Sequence, residues 1–222
     1  MMDMTNVFEK LGAAGAPMCA RDADSGDLIR AVQIAIDAKS RCISVDAAAV
    51  PVVWPWLENT DIDIAARITP LADGDADTCM SDLAGRIKKV FKQGASTVQI
   101  FINRAELDAF ADAVAPIRDD LFFNRKLSVA LDLSECNGDW GAVFDALMRA
   151  GADSVLLTMT RDAGDRSDFV GRIYGLMQMR HPWRGALHFA LGKNPARIEQ
   201  VQRLATVMHK ESLAGLLFFV NN

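Results

Sequence analysis

Four apolar runs each carry a residue able to do chemistry: Asp46 in RCISVDA, Arg67 in DIDIAARIT, Asp132 in KLSVALDL and His188 in GALHFALG. A histidine titrates near neutral pH and can pass a proton on, a carboxylate beside it can orient or share that proton, and a guanidinium can hold an anion. The set predicts acid–base chemistry on a small polar compound, with His188 and Asp132 as the catalytic pair and Arg67 orienting an anionic group. Gln99, Asp46, Thr158, Thr160 and Arg161 complete the expected binding set, and Lys193 is the lysine best placed to reach into a pocket mouth. Asp46, Asp132 and Glu135 offer a competing use, since hard cations such as Mg²⁺ take carboxylate oxygens. No H-x-x-x-H or clustered D-x-D pattern supports that use, and the expectation is a site without metal or other cofactor.

Bulk properties narrow the class of partner. The formal net charge is -5 and the basic residues are scattered, which argues against a nucleic-acid partner, because affinity for phosphate backbones rests on clustered Lys and Arg. The longest basic cluster, RIKK from Arg86 to Lys89, falls in a helical pattern and reads as a solvated face. The opening MMDMTNVFEKLG lacks a basic segment followed by an apolar one, and no later run is long and apolar enough to span a bilayer, so a cytoplasmic protein is expected. Cys19, Cys42, Cys79 and Cys136 form no C-x-x-C or Cys/His pair; Cys19 and Cys42 lie in apolar runs and read as small buried hydrophobes.

The elements that must position these residues alternate short β-rich runs with helical patterns, as parallel βα units do. Eight strands are predicted: Ala16–Asp22, Arg41–Ala47, Asp61–Thr69, Thr97–Asn103, Lys126–Leu133, Asp153–Thr160, Gly185–Gly192 and Ala214–Val220. Between the first two, Leu28, Ile29, Val32, Ala35 and Ile36 share a helical face behind a Ser25 cap, while Gly94 and Gly151 close later helices. Pro51 and Pro55 shorten or break any helix in AAVPVVWPWLEN, and the neighbouring Trp54 and Trp56 read as packing rather than as a sugar platform. With no long linker, the chain reads as one (β/α)8 TIM barrel over residues 1–222. The sequence ends just past the eighth strand with no eighth helix, so the NVFEKLG segment folding back, or a second copy in a homo-oligomer, must cover that strand's apolar face.

Strand parity sorts side chains into helix-facing and barrel-facing sets. With Val98, Ile100 and Ile102 facing out, Thr97, Gln99, Phe101 and Asn103 face in; the same split turns Ser44, Asp46, Asp63, Ala65, Arg67, Ser128, Ala130, Asp132, Ser154, Leu156, Thr158, Ala186, His188 and Ala190 inward. Barrel interiors are usually branched and apolar, so this polar content implies either an internal network or a ligand pocket at the strands' carboxyl ends.

Two stretches, GASTVQIFINRAEL and AGADSVLLTMT, resemble patterns of the deoxyribose-phosphate aldolase family, and weaker similarity runs from about Cys42 to Gly192. The resemblance implies a class I aldolase barrel, a lyase of carbohydrate metabolism whose reactive lysine forms an imine beside a second cation and a proton-handling carboxylate. Matched position by position, Gln99 stands where the family has its aspartate, Leu156 where it has the imine-forming lysine, and His188 where it has the second lysine. The barrel of an aldolase is therefore expected without its imine chemistry, unless Lys193 substitutes from the rim. Two functions remain: acid–base chemistry on a small carbonyl or sugar compound, phosphorylated or not, or a non-catalytic barrel used for ligand binding or as an oligomeric scaffold.

Overall fold

The computed structural model describes residues 7–8, 11–69, 76–136, 138–159, 166–179, 181–190, 195–207 and 217–221. Each predicted run overlaps a strand: β1 (Gly15–Met18), β2 (Cys42–Asp46), β3 (Asp63–Ile68), β4 (Thr97–Phe101), β5 (Lys126–Asp132), β6 (Ser154–Thr158), β7 (Ala186–Ala190) and β8 (Leu217–Asn221). All neighbours pair in parallel in sequence order, and β8 closes onto β1 from Gly15↔Phe218 to Met18↔Asn221. The result is the TIM barrel expected from the alternation, its crossovers carried by α1 (Ser25–Asp37), α2 (Val50–Leu57), α3 (Ala76–Lys92), α4 (Leu107–Val114), α5 (Arg118–Phe122), α6 (Trp140–Arg149), α7 (Arg166–Gln178) and α8 (Pro195–Val207).

Local physics adjusts several expectations. The N-cap of α1 is Asp24, whose carboxylate accepts from the Asp27 N–H at 2.9 Å, so Ser25 is the first helical residue and not the cap. Its buried face is Leu28, Ala31, Val32 and Ala35, while Ile29 and Ile36 are exposed. Helix α2 is short but continuous: Pro51 occupies its first turn, where no N–H is required, and Pro55 is accommodated inside. Gly94, at φ 110°, and Gly151, at φ 63°, follow α3 and α6 in backbone conformations that a side chain disfavours. At Gly94 space is lacking as well, for an added Cβ would lie 2.4 Å from Trp54 Cδ2.

Parity divides the core in two. Outward residues such as Ile43, Val45, Val98, Ile100, Val129, Val155 and Phe189 join helix side chains in the larger cluster; inward Ala16, Met18, Cys42, Ala65, Ala130, Leu156, Ala190, Leu217 and Phe219 form a separate one inside the barrel. The outer face of β8 is covered within the single chain: Phe218 and Val220 are 1% and 0% exposed and belong to the same cluster as Val7, Phe8 and Leu11.

Candidate functional site

At the carboxyl ends of the strands, the interior residue most costly to bury is Arg67 on β3. It is 9% exposed, its Nη2 donates to the Ala20 carbonyl at 3.3 Å, and its Nε has no partner among the described residues. Burial pulls its pKa below the usual guanidinium value, the neighbouring Cys19 and Asp46 push it back up, and Arg21 adds to the fall. Arginine stays protonated regardless, so the site keeps a desolvated positive charge. Arg21, beside it, donates from Nη2 to Thr69 Oγ1 at 3.0 Å.

Two expected carboxylates ring the same end, and each is engaged by the turn that ends its strand. Asp46 Oδ1 accepts from the Ala48 N–H at 3.1 Å; Asp132 Oδ1 accepts from Ser134 N at 2.8 Å and Ser134 Oγ at 2.6 Å. These are side-chain turns of the kind Asp favours, which fix each carboxylate in place. Thr158 on β6 gives its hydroxyl proton to the Leu131 carbonyl at 3.3 Å. Glu135 turns outward to accept from the Arg104 N–H at 3.0 Å, and among the described residues no group of His, Cys, Asp and Glu is arranged to hold a metal ion.

His188 and Gln99 face inward as parity requires, but deeper. The β5–β6–β7 ladder sets His188 level with Leu156 and Ala130, whereas Asp132 is level with Thr158 and Ala190. The imidazole therefore starts two residues nearer the strands' amino ends than the carboxylate, roughly 7 Å along the strand direction. Its ring packs edge-on against Phe219, with centroids 5.8 Å apart. Gln99, 1% exposed, accepts a hydrogen bond from Ser44 Oγ at 2.7 Å across the barrel. Both line a cavity that opens at the amino ends of the strands. Thr160, Arg161 and Lys193 lie outside the described residues.

Leu156, 0% exposed, and Phe219, 1% exposed, fill the centre of the barrel. Lys126 enters from the amino end and is bonded to Asp63 at 3.1 Å. The thiols are equally unsuited to nucleophilic work: burial pushes Cys19 and Cys136 up to about 11 and Cys42 higher still, so all three are neutral at pH 7. Sequence reasoning did not single out Arg21 or Arg41; no local pattern distinguishes them from solvated arginines, and only strand order brings them to the two barrel mouths.

Closed parallel strands wrapped by helices, with polar groups at both mouths, place the chain in the (β/α)8 barrel class. Within that class it shares the fold of the deoxyribose-phosphate aldolases. The tetrameric aldolase of that kind from Aeropyrum pernix superposes with a TM-score of 0.73 at 16% identity, covering 99% of this chain and 92% of the other. A Coccidioides immitis protein assigned to the same activity gives 0.70 at 12% identity, over 97% and 82%. Triosephosphate isomerase from Bartonella henselae, a different activity, also matches, at 0.52 and 13% identity over 94% and 92%. No family model and no curated protein matches the sequence. Among the described residues no helix is long and apolar enough to cross a membrane.

Proposed function

We propose that the barrel acts on a small anionic carbonyl or sugar compound, phosphorylated compounds included, bound at the carboxyl ends of its strands. Arg67 holds the anionic group and Asp46 and Thr158 border it; Thr160 and Arg161, which follow β6 in the sequence, complete the proposed binding set. Protons are handled by Asp132 from the rim and by His188 from below, without a covalent imine. The observation that carries this reading is Arg67: a buried guanidinium with, among the described residues, one weak backbone bond and an unpartnered Nε is expensive to keep unless an anion completes its coordination. Imine chemistry would need a lysine near the centre, where Leu156 is packed instead.

A non-catalytic barrel is favoured by a different observation, the filling of the interior by Leu156 and Phe219 with His188 packed on the latter. The experiment that separates these readings couples calorimetric titration with glycolaldehyde phosphate, glyceraldehyde 3-phosphate and deoxyribose 5-phosphate to borohydride trapping and turnover measurement. Binding and turnover without a reduced lysine adduct are the expected result. Binding without turnover favours the ligand-binding barrel, and an adduct on Lys193 overturns the acid–base mechanism in favour of a displaced imine. Assembly into a homo-oligomer, by analogy with the A. pernix tetramer, is checked by sedimentation.

A further inference from the structure

The amino ends of the strands enclose a cavity of about 330 Å³, lined by residues at the starts of β2 to β8. Barrel interiors are ordinarily filled here by branched side chains. In this chain Cys42, Ala65 and Ala186 are the inward residues on β2, β3 and β7, and their small size leaves the space open. Leu217 and Phe219 supply an apolar wall.

Polar groups occur at the two ends of this cavity and differ in kind. At the rim, Lys126 is paired with Asp63 at 3.1 Å, and Asp153 with Arg118 at 3.0 Å, so those charges cancel. Arg41, also at the rim, has no side-chain partner among the described residues. At the inner end stand His188 and Gln99, whose Oε1 is taken by the Ser44 hydroxyl and whose Nε2 has no partner among the described residues. One carboxamide can satisfy Ser44 with only one of its ends, so the other remains a buried polar atom with an unmet bond. Ser44 is three residues beyond Arg41 on the same strand, about 10 Å along it.

We propose that this amino-end cavity is a second binding site, taking a short carboxylate of about four to six carbons with an oxygen acceptor at its far end, as in a keto or hydroxy acid. The carboxylate meets Arg41 at the mouth, the methylenes lie against Leu217 and Phe219, and the distal oxygen accepts from Gln99 Nε2. The inference does not rest on the carboxyl-end reading: its anchors, Arg41 and Gln99, are not among the groups given the anion or the protons there, although His188 also lines this cavity.

The test uses 4-oxopentanoate, with pentanoate and 2-pentanone as probes lacking one anchor each, followed by amide chemical shifts and calorimetry on the full chain. Saturable shifts at Thr97, Ala186 and Leu217, with 4-oxopentanoate tighter than either control, are expected. Arg41→Gln, an exposed substitution that leaves the fold alone, should weaken binding about tenfold or more, as loss of a charge-assisted bond does. Ala186→Leu should abolish binding by filling the cavity, while Arg67→Met should not alter it. Shifts confined to Asp46, Asp132 and Thr158, equal affinity for all three probes, unchanged binding in Arg41→Gln, or no binding at about 50 mM, roughly 2 kcal/mol of affinity, would each overturn the proposal; the last leaves a cavity for water alone.

Discussion

Replacing Arg67 by methionine separates an anion-binding role from a structural one. Arg67 contributes one long bond to the Ala20 carbonyl, at 3.3 Å, worth no more than about 1.5 kcal/mol. Against it stand the unpartnered Nε, at about 1–3 kcal/mol, and the several kcal/mol lost in desolvating a charge. Methionine fills similar space with no polar atom, and Asp46, which is part-exposed and already accepts from Ala48, is not left as a buried orphan. Arg67→Met should therefore be neutral or stabilising by up to about 2 kcal/mol in anion-free buffer. Ligand linkage gives the opposite sign for the natural chain: an anion with Kd of about 1 mM, added at about 50 mM, stabilises by about 2.3 kcal/mol. For a chain of this size that raises the melting temperature by roughly 5–9 °C. The assay is thermal unfolding in phosphate and in chloride at matched ionic strength. The general stabilising effect of phosphate is common to both proteins, so the difference between them isolates Arg67. A methionine variant that keeps the full phosphate shift, or loses more than about 3 kcal/mol in chloride, refutes the reasoning.

Two further outcomes follow from the packing and the thiols. Gly94→Ala must take a positive φ and drive a Cβ into the Trp54 indole, costing about 2–4 kcal/mol in urea unfolding. In a Trp54→Ala background only the backbone share should remain, and equal costs in both backgrounds would mean that the indole contact is not the cause. Cys19 and Cys136, raised from 9.0 to about 11 by burial, hold their protons in the folded chain where the unfolded chain sheds them. Their contribution is thus present below pH 9 and lost as pH rises through 11, so the urea midpoint should fall over that range and fall less in the double alanine variant.

The barrel was legible because period-two alternation is enforced at every strand: Val98 and Ile100 outward, Gln99 and Phe101 inward, and each later strand in phase. Strand ends were less so. The first strand stops at Met18 rather than Asp22, and β2 and β5 stop where Asp46 and Asp132 turn back to bond the backbone two residues on, a competition that apolar patterning does not record. The site was legible as a list of inward polar residues but not as a geometry. Parity says that Gln99 and His188 face in; it does not say that small Cys42, Ala65 and Ala186 open space beneath them and associate both with the amino end. Ile29 and Ile36 failed for a related reason, since helical spacing offers a wider face than the barrel covers.

The three positions at which this chain differs from the aldolase pattern make one physical set. An imine-forming lysine in a barrel centre is tolerable because a carboxylate nearby balances it and a second cation tunes it. With leucine at 156, an aspartate at position 99 would be a buried anion with no neighbouring lysine, at a cost of several kcal/mol. Glutamine there keeps the hydrogen bond to Ser44 and sheds the charge. A lysine at 188 would likewise face Phe219 and Leu156 without a counter-charge, whereas histidine can remain neutral and pack its ring edge on Phe219. The three residues together therefore leave the centre without charge, whereas Arg67 keeps a buried positive charge at the carboxyl end. On the proposed reading that charge is kept because a bound anion offsets its burial, whereas a barrel that had only been repacked would gain by replacing it with an apolar side chain.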